Sequence, residues 1–365
     1  MPGIQTHIQL FTDAMNAVKS DKNPGRGTRS LEILFATPLF ARAGYFGCLG
    51  PDVIDYLPLM KKKSFFGTAL NKDLHSARLA ESLRMMLTRV LHASDPVNEW
   101  SAAQRAFVYG YVSHIVTDAV FHPFIYYWAG FPDTDIDKEV MLFREQFLLL
   151  EYTIDAYFTH FYKKKPVKTD LKSLFPIVTY GKGRRGLHPS IAGMLYDLLI
   201  FLDHEIGDTF FLRMRHGTTG NQPAPPTCIR MLPYIIDSAF RLKTSNNRYY
   251  KKIVDRLRKK KLLFPDYTVR YPEPKRINRH VLNLHRERWF YPAGAPGLHY
   301  ESVEDLYKIA QNSIVAAWDK LESAACSSSR EIAPLLHEIA VDALTGEIGK
   351  QPHEMHVKNP VKPRL

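Results

Sequence analysis

The stretch Ser101–Gly130, SAAQRAFVYGYVSHIVTDAVFHPFIYYWAG, constrains this chain more than any other. Phe107, Val108, Tyr109, Val112, Ile115, Val116, Val120 and Phe121 make it strongly apolar. Ser101 followed three residues on by Gln104 is a capping-box pattern, which predicts a helix beginning at Ala102. On that helix His114, Asp118 and His122 stand at i, i+4 and i+8. At about 100° per residue they lie within about 80° of one another, on one face. The rise of about 1.5 Å per residue spreads them over about 12 Å, too far for one metal ion with bonds of about 2 Å. His114 and Asp118 can share one ion, and His122 then serves another. A carboxylate between two imidazoles suits a multinuclear site, because its two oxygens can bridge. The ordinary reading of a single such histidine is a hydrogen bond to a carbonyl or a neighbouring carboxylate. Three on an apolar helix point further, since burying an aspartate there is costly unless a cation or strong donors compensate. Pro123 removes an amide and predicts a bend just past His122.

The chain has 365 residues, enough for one large domain or two. Its net charge of +12 favours anionic partners, either phospholipid headgroups or nucleic acid. The three cysteines, Cys48, Cys228 and Cys326, stand in isolated contexts, which suits a reducing compartment and fits no zinc-ribbon spacing. The opening MPGIQTHIQLFTDAM has no basic n-region followed by an apolar h-region. No apolar run approaches the roughly 18 residues of a membrane span. The expectation is a cytoplasmic protein, or one exported by a non-Sec route.

Hydrophobic periodicity predicts helices over 6–18, from about 30 to 47, over 71–92 and over 138–162, with more at 190–214, 228–263, 301–325 and 330–345. The tight turn GPDVIDY (50–56) presents Asp52 and Asp55. The segment 264–300 is rich in proline and aromatics and reads as irregular. No convincing strand alternation appears, so the chain reads as all-α. The run GTTGNQPAPPT (217–227) gives the best boundary. It divides the chain into a helical domain (1–216), a linker (217–229), a helical C-terminal region (230–350) and a polar tail (351–365).

His7, Asp52, His75, His114, Asp118, His122 and Glu151 form an ordered series of polar groups on apolar helices or tight turns. With GYVSHIVTDAVFHP (110–123), the LGPD turn (49–52) and LHSARLAESL (74–83), it resembles the zinc-dependent phospholipase C domain family. That family is all-α and related to the P1/S1 nucleases, and the resemblance covers roughly residues 1–160. It implies two or three zinc ions. The first would be held by Asp52, His75, His114 and Asp118. The second would share Asp118 and take His7, with the amine of Pro2 after removal of Met1 in the place of the relatives' N-terminus. The third would use His122 and Glu151. The family's third-site helix carries H-x-x-x-E, whereas Phe147 stands four residues before Glu151 here. Either His160 or His204 substitutes, or the third site is empty. In the acidic turn the ligand is Asp52, which fits the pattern, or else Asp55 in a shifted register, with Asp52 preferred.

The implied activity is hydrolysis of glycerophospholipids to diacylglycerol and a phosphorylated headgroup, with Asp52 as general base. A P1-like single-strand nuclease and a catalytically decayed metal-containing binding protein are the alternatives. No Ser-His-Asp arrangement or Gly-rich phosphate loop competes. The basic clusters Lys61–Lys63, Lys163–Lys165, Arg184-Arg185 and Lys259–Lys261 read as solvated faces or as contacts to an anionic bilayer, with Phe65, Phe66 and Trp128 as interfacial aromatics. Peripheral membrane contact is expected ahead of nucleic acid.

Overall fold

The computed structural model describes residues 3–20, 26–57, 66–93, 95, 98–130, 137–162, 170–202, 226–245, 252, 256, 269–292, 297–326, 332, 333, 336, 339, 343 and 346. Of these, the side chains of 26–28, 66–70, 137–142 and 182 lie outside the description. The chain is all-α. Its centre is the helix α6 (Glu99–Ala129), whose buried residues run round the whole circumference. A helix apolar on every side has to be enclosed by others. The enclosing helices are α1 (Ile4–Ser20), α3 (Pro38–Gly47), α5 (Leu79–Leu91), α7 (Asp137–Tyr157), α8 (Pro189–Leu202) and α10 (Val303–Cys326). Helices α2 (Arg26–Ala36), α4 (Phe66–His75) and α9 (Thr227–Thr244) complete the shell.

Helix α6 begins earlier than the capping-box reading. Asn98 is its N-cap, and its side chain accepts from the Ser101 amide at 2.8 Å. Gln104 is occupied elsewhere, donating to the Ser190 carbonyl at 2.9 Å. Pro123 lies inside α6, which runs on to Ala129. Two other predicted helices are split. The first breaks at Thr37, because Pro38 has no amide to continue α2 and starts α3 instead. The second breaks between His75 and Leu79, leaving His75 at the end of α4. Helix α7 passes into a π-turn over Phe158–Tyr162. Two small antiparallel ribbons escaped the periodicity: β1 (Ile177–Tyr180) with β2 (Arg184–Leu187), and β3 (Trp289–Phe290) with β4 (Leu298–His299).

Helix α3 packs closest on α6. The close approach needs glycine on both sides, since a Cβ at Gly47 would collide with the Phe107 carbonyl and one at Gly110 with the backbone of Gly44, Gly47 and Cys48. Helix α10, far along the chain, is locked to the same core. Trp318 Nε1 donates to the Tyr109 carbonyl at 3.0 Å, and the Tyr307 hydroxyl donates to Asp13 at 2.7 Å. Buried Glu322 accepts from both Tyr109 and Arg105. Trp128 is only 4% exposed, so it belongs to the core rather than to an interface. Phe65, the three lysine clusters, the linker 217–225, His204 and the tail lie outside the described residues, as does the side chain of Phe66. Among the described residues, no helix is long and apolar enough to cross a membrane.

Candidate metal centre

Four elements bring the predicted groups together. Helix α1 contributes His7 from its first turns. Asp155 of α7 fixes that helix start, accepting from the amides of Gln5 and Thr6 at 2.9 and 2.8 Å and from the Thr6 hydroxyl at 2.5 Å. The 3₁₀ segment Gly50–Tyr56 contributes Asp52, α4 contributes His75, and α6 contributes His114, Asp118 and His122. Gly50 has φ of +55°, and a Cβ there would enter the His114 ring, so only glycine lets the acidic turn lie against that imidazole.

Asp118 is the hub, completely buried between four imidazoles. His7 Nε2 lies 3.2 Å from Oδ1. His75 Nε2 and His114 Nε2 each lie 3.1 Å from Oδ2, and His122 Nε2 lies 3.8 Å away. Asp52, with 17% of its side chain exposed, stands 3.9 Å from His75 Nε2 on the solvent side. The far nitrogens of His75, His114 and His122 are engaged. His75 Nδ1 donates to the Asn71 carbonyl at 2.7 Å, His114 Nδ1 to the Cys48 carbonyl at 3.1 Å, and His122 Nδ1 to the Ala343 carbonyl. A neutral imidazole that donates from Nδ1 has its lone pair on Nε2. Three such lone pairs therefore face one carboxylate, and those of His75 and His114 face each other at 3.1 Å. Within the described residues, two three-donor groups emerge with all donor atoms within 4.8 Å: His7, His114 and Asp118, and Asp52, His75 and His114.

The model of the family described as zinc-dependent phospholipase C matches residues 6–182, a span that holds every one of these side chains. Over that span the chain is similar to the zinc-dependent phospholipase C family. Comparisons with curated proteins and with solved structures give no match.

The donor set suits the zinc of a zinc-dependent phospholipase C: imidazole and carboxylate, without thiolate. Both oxygens of Asp118, both nitrogens of His7 and Nε2 of His122 are buried without a partner in hydrogen-bond geometry. Buried polar atoms are seldom left so, and a cation among them removes the cost. Charges are already arranged for one. Burial pushes the Asp118 carboxyl up, but His114 and His122 outweigh it and hold it well below the usual carboxylate range. Burial and the neighbouring His114 pull His7 down to about 4, so that it is neutral at physiological pH.

Glu151 is buried, and burial pushes its carboxyl up to about 7. No three-donor group among the described residues includes it. Phe147 packs on the His122 ring with centroids 5.9 Å apart and on Tyr126 at 5.2 Å. An apolar ring thus occupies the helix position where the family carries a third-site histidine. His160 is exposed on the π-turn. Asn71 bridges the two carboxylates of the acidic turn, donating to Asp52 at 3.1 Å and to Asp55 at 2.7 Å.

One arrangement was not anticipated from sequence. His188 stands 2.7 Å from the Ser190 hydroxyl through Nδ1 and 3.3 Å from Glu99 through Nε2. The Ser190 amide also points at His188 Nδ1, 3.3 Å away, and Ser190 is completely buried. This is an interaction at the start of α8.

Proposed function

We propose that the protein is a zinc-dependent phospholipase C that hydrolyses glycerophospholipids to diacylglycerol and a phosphorylated headgroup. The observation that carries this reading is the convergence of four Nε2 atoms on buried Asp118, with Asp52 at the solvent edge. His7 with Asp118 would hold one ion, and Asp52, His75 and His114 with Asp118 the other. Phe147 fills the third-site position, so the proposal is two ions. When bound, they supply positive charge to the phosphoryl oxygens and acidify an adjacent water. Asp52, the carboxylate of this set with solvent access, takes the proton of the attacking water as general base. The backbone carbonyls behind His75, His114 and His122 hold each ring's tautomer and direction. The net charge of +12 favours contact with anionic membrane surfaces.

The test is metal analysis beside hydrolysis of phosphatidylcholine, phosphatidylglycerol and single-stranded DNA by wild type and His114→Ala. Two zincs per chain, headgroup release and its loss in the variant are expected. DNA cleavage without lipid cleavage would replace this reading with the nuclease, and one zinc or none without activity would replace it with a binding protein.

Zinc affinity should also rise with pH. Burial acts to lower the His75 pKa, but the adjoining Asp118 and Asp52 carboxylates outweigh it and raise it above the ordinary 6.5. Metal-free His75 is therefore protonated on the acidic side of that raised value, and a ligand needs that nitrogen bare. In the metal-free protein this raised pKa contributes stability that is complete below 6.5 and lost as pH rises through the folded value. Zinc binding is expected to release protons, with affinity increasing up to about tenfold per pH unit for each proton displaced, on the acidic side of the raised His75 value. Calorimetry in buffers of different ionisation heat measures the release. A pH-independent affinity would rule out His75 as a ligand.

A further inference from the structure

We infer that Asn71 is a positioning residue that orients Asp52 towards the centre, an inference that rests on the two-ion reading above. In the 3₁₀ segment Gly50–Tyr56, residues three apart lie on the same side, so Asp52 and Asp55 present two carboxylates side by side. Such a pair repels and would splay without a donor between them. Asn71 supplies both donors of one amide, Nδ2 to Asp52 Oδ1 at 3.1 Å and to Asp55 Oδ2 at 2.7 Å. Because both partners only accept, the nitrogen of this amide is identified by its neighbours. The amide donates without adding positive charge. A lysine or arginine there would tie the acidic turn equally well, but it would neutralise Asp52 and compete with a cation for it. Asn71 thus holds the carboxylate in place and leaves its charge available.

The same residue acts a second time through its backbone. It lies one turn before His75 on α4, and its carbonyl accepts the His75 Nδ1 proton at 2.7 Å. One residue therefore ties together the two donors, Asp52 and His75, that come from outside α1 and α6. Asn71 is only 7% exposed, and its own Oδ1 is buried without a hydrogen-bond partner. An unsatisfied buried acceptor costs about 1–3 kcal/mol, which argues that this side chain is kept for its two donors rather than for packing.

Substituting the side chain leaves the carbonyl behind His75 intact, so the two contributions separate. In Asn71→Ala and in the isosteric Asn71→Asp, the ion bound by Asp52 is expected to weaken by about 10–100-fold. The ion bound by His7 should keep wild-type affinity. Competition titration with a chelator resolves the two. With lipid substrate, kcat should fall while KM stays within about twofold, because a misdirected Asp52 affects the reacting step and not the lipid contact. Melting of the metal-free proteins separates orientation from folding: Asn71→Ala is expected to melt close to wild type, whereas Asn71→Asp sets a third carboxylate against Asp52 and Asp55 and should melt lower. A wild-type protein that binds no zinc overturns the two-ion reading itself. Wild-type zinc binding with unchanged affinities and kcat in both variants overturns the role of Asn71 alone. A metal-free Asn71→Ala melting temperature well below wild type, or equal weakening of both ions in that variant, assigns Asn71 to the fold and also overturns the inference.

Discussion

Replacing Asp118 with asparagine is expected to lower phospholipid hydrolysis by about a thousandfold or more, corresponding to about 4 kcal/mol of lost transition-state stabilisation. The side chain keeps its size, so the effect isolates the carboxylate. Both of its oxygens are used: His7 lies against Oδ1, and His75 and His114 lie against Oδ2. An amide retains one oxygen and turns an N–H₂ towards imidazole lone pairs. The carboxylate that would hold both ions of the proposed pair is lost with it, and zinc content should fall from the proposed two ions to one or none. The metal-free protein should change as well. Asp118 is held well below its ordinary pKa, so it contributes stability that is present above that ordinary value and lost as pH falls through the folded one. An amide at this position does not titrate, so acid unfolding of the variant should lose that component. Metal analysis and headgroup release read the first effect, and acid titration followed by circular dichroism reads the second. An Asp118→Asn protein that retained two zincs and a rate within tenfold of wild type would remove Asp118 from the centre.

The sequence made much of this centre legible for one physical reason. A helix period places His114, Asp118 and His122 on one stripe, and an aspartate buried among phenylalanine and valine needs compensation. His7, Asp52 and His75 could be added only through the resemblance, because nothing local says which helix ends converge. The structure brings all six together. Glu151 was placed with them by the same resemblance, yet the described geometry groups it with no two other donors. Its neighbour one turn back, Phe147, already signalled that difference in the sequence.

What escaped is mostly backbone chemistry. The acceptors behind the histidines are carbonyls of Cys48, Asn71 and Ala343, and a carbonyl leaves no residue-type signal. Ala343 stands 221 positions from His122, so the C-terminal region reaches the centre in a way no local pattern could reveal. Helix limits slipped where the capping side chain was not the expected one, as with Asn98 in place of Ser101. They slipped also where one apolar stripe continued across a break, as between α4 and α5. The side-chain role of Asn71 belongs to the same class: an asparagine four residues before a histidine has many uses, and only the folded acidic turn selects one.

The motif glycine Gly110 leads to the second large effect. Alanine is the better helix former by about 1 kcal/mol, so on propensity alone Gly110→Ala should stabilise α6. Packing reverses the sign. The added Cβ would overlap the Gly44 carbonyl and stand 2.7 Å from the Cys48 nitrogen and 2.9 Å from the Gly47 carbonyl carbon. All three are backbone atoms of α3 or its cap, and no rotamer change can move them aside. The two helices must separate, and overpacking of this kind costs about 1–3 kcal/mol, with backbone against backbone at the upper end. The loss should reach the centre too, because the Cys48 carbonyl orients His114. Urea denaturation should therefore show a net loss of about 2 kcal/mol, and zinc affinity should fall with it. Gly193 of α8 supplies the control, since a Cβ there meets nothing within 4 Å. Gly193→Ala should raise stability by up to about 1 kcal/mol and leave zinc binding unchanged. If the two substitutions shift stability in the same direction, the close contact of α3 with α6 cannot be what fixes the direction of His114.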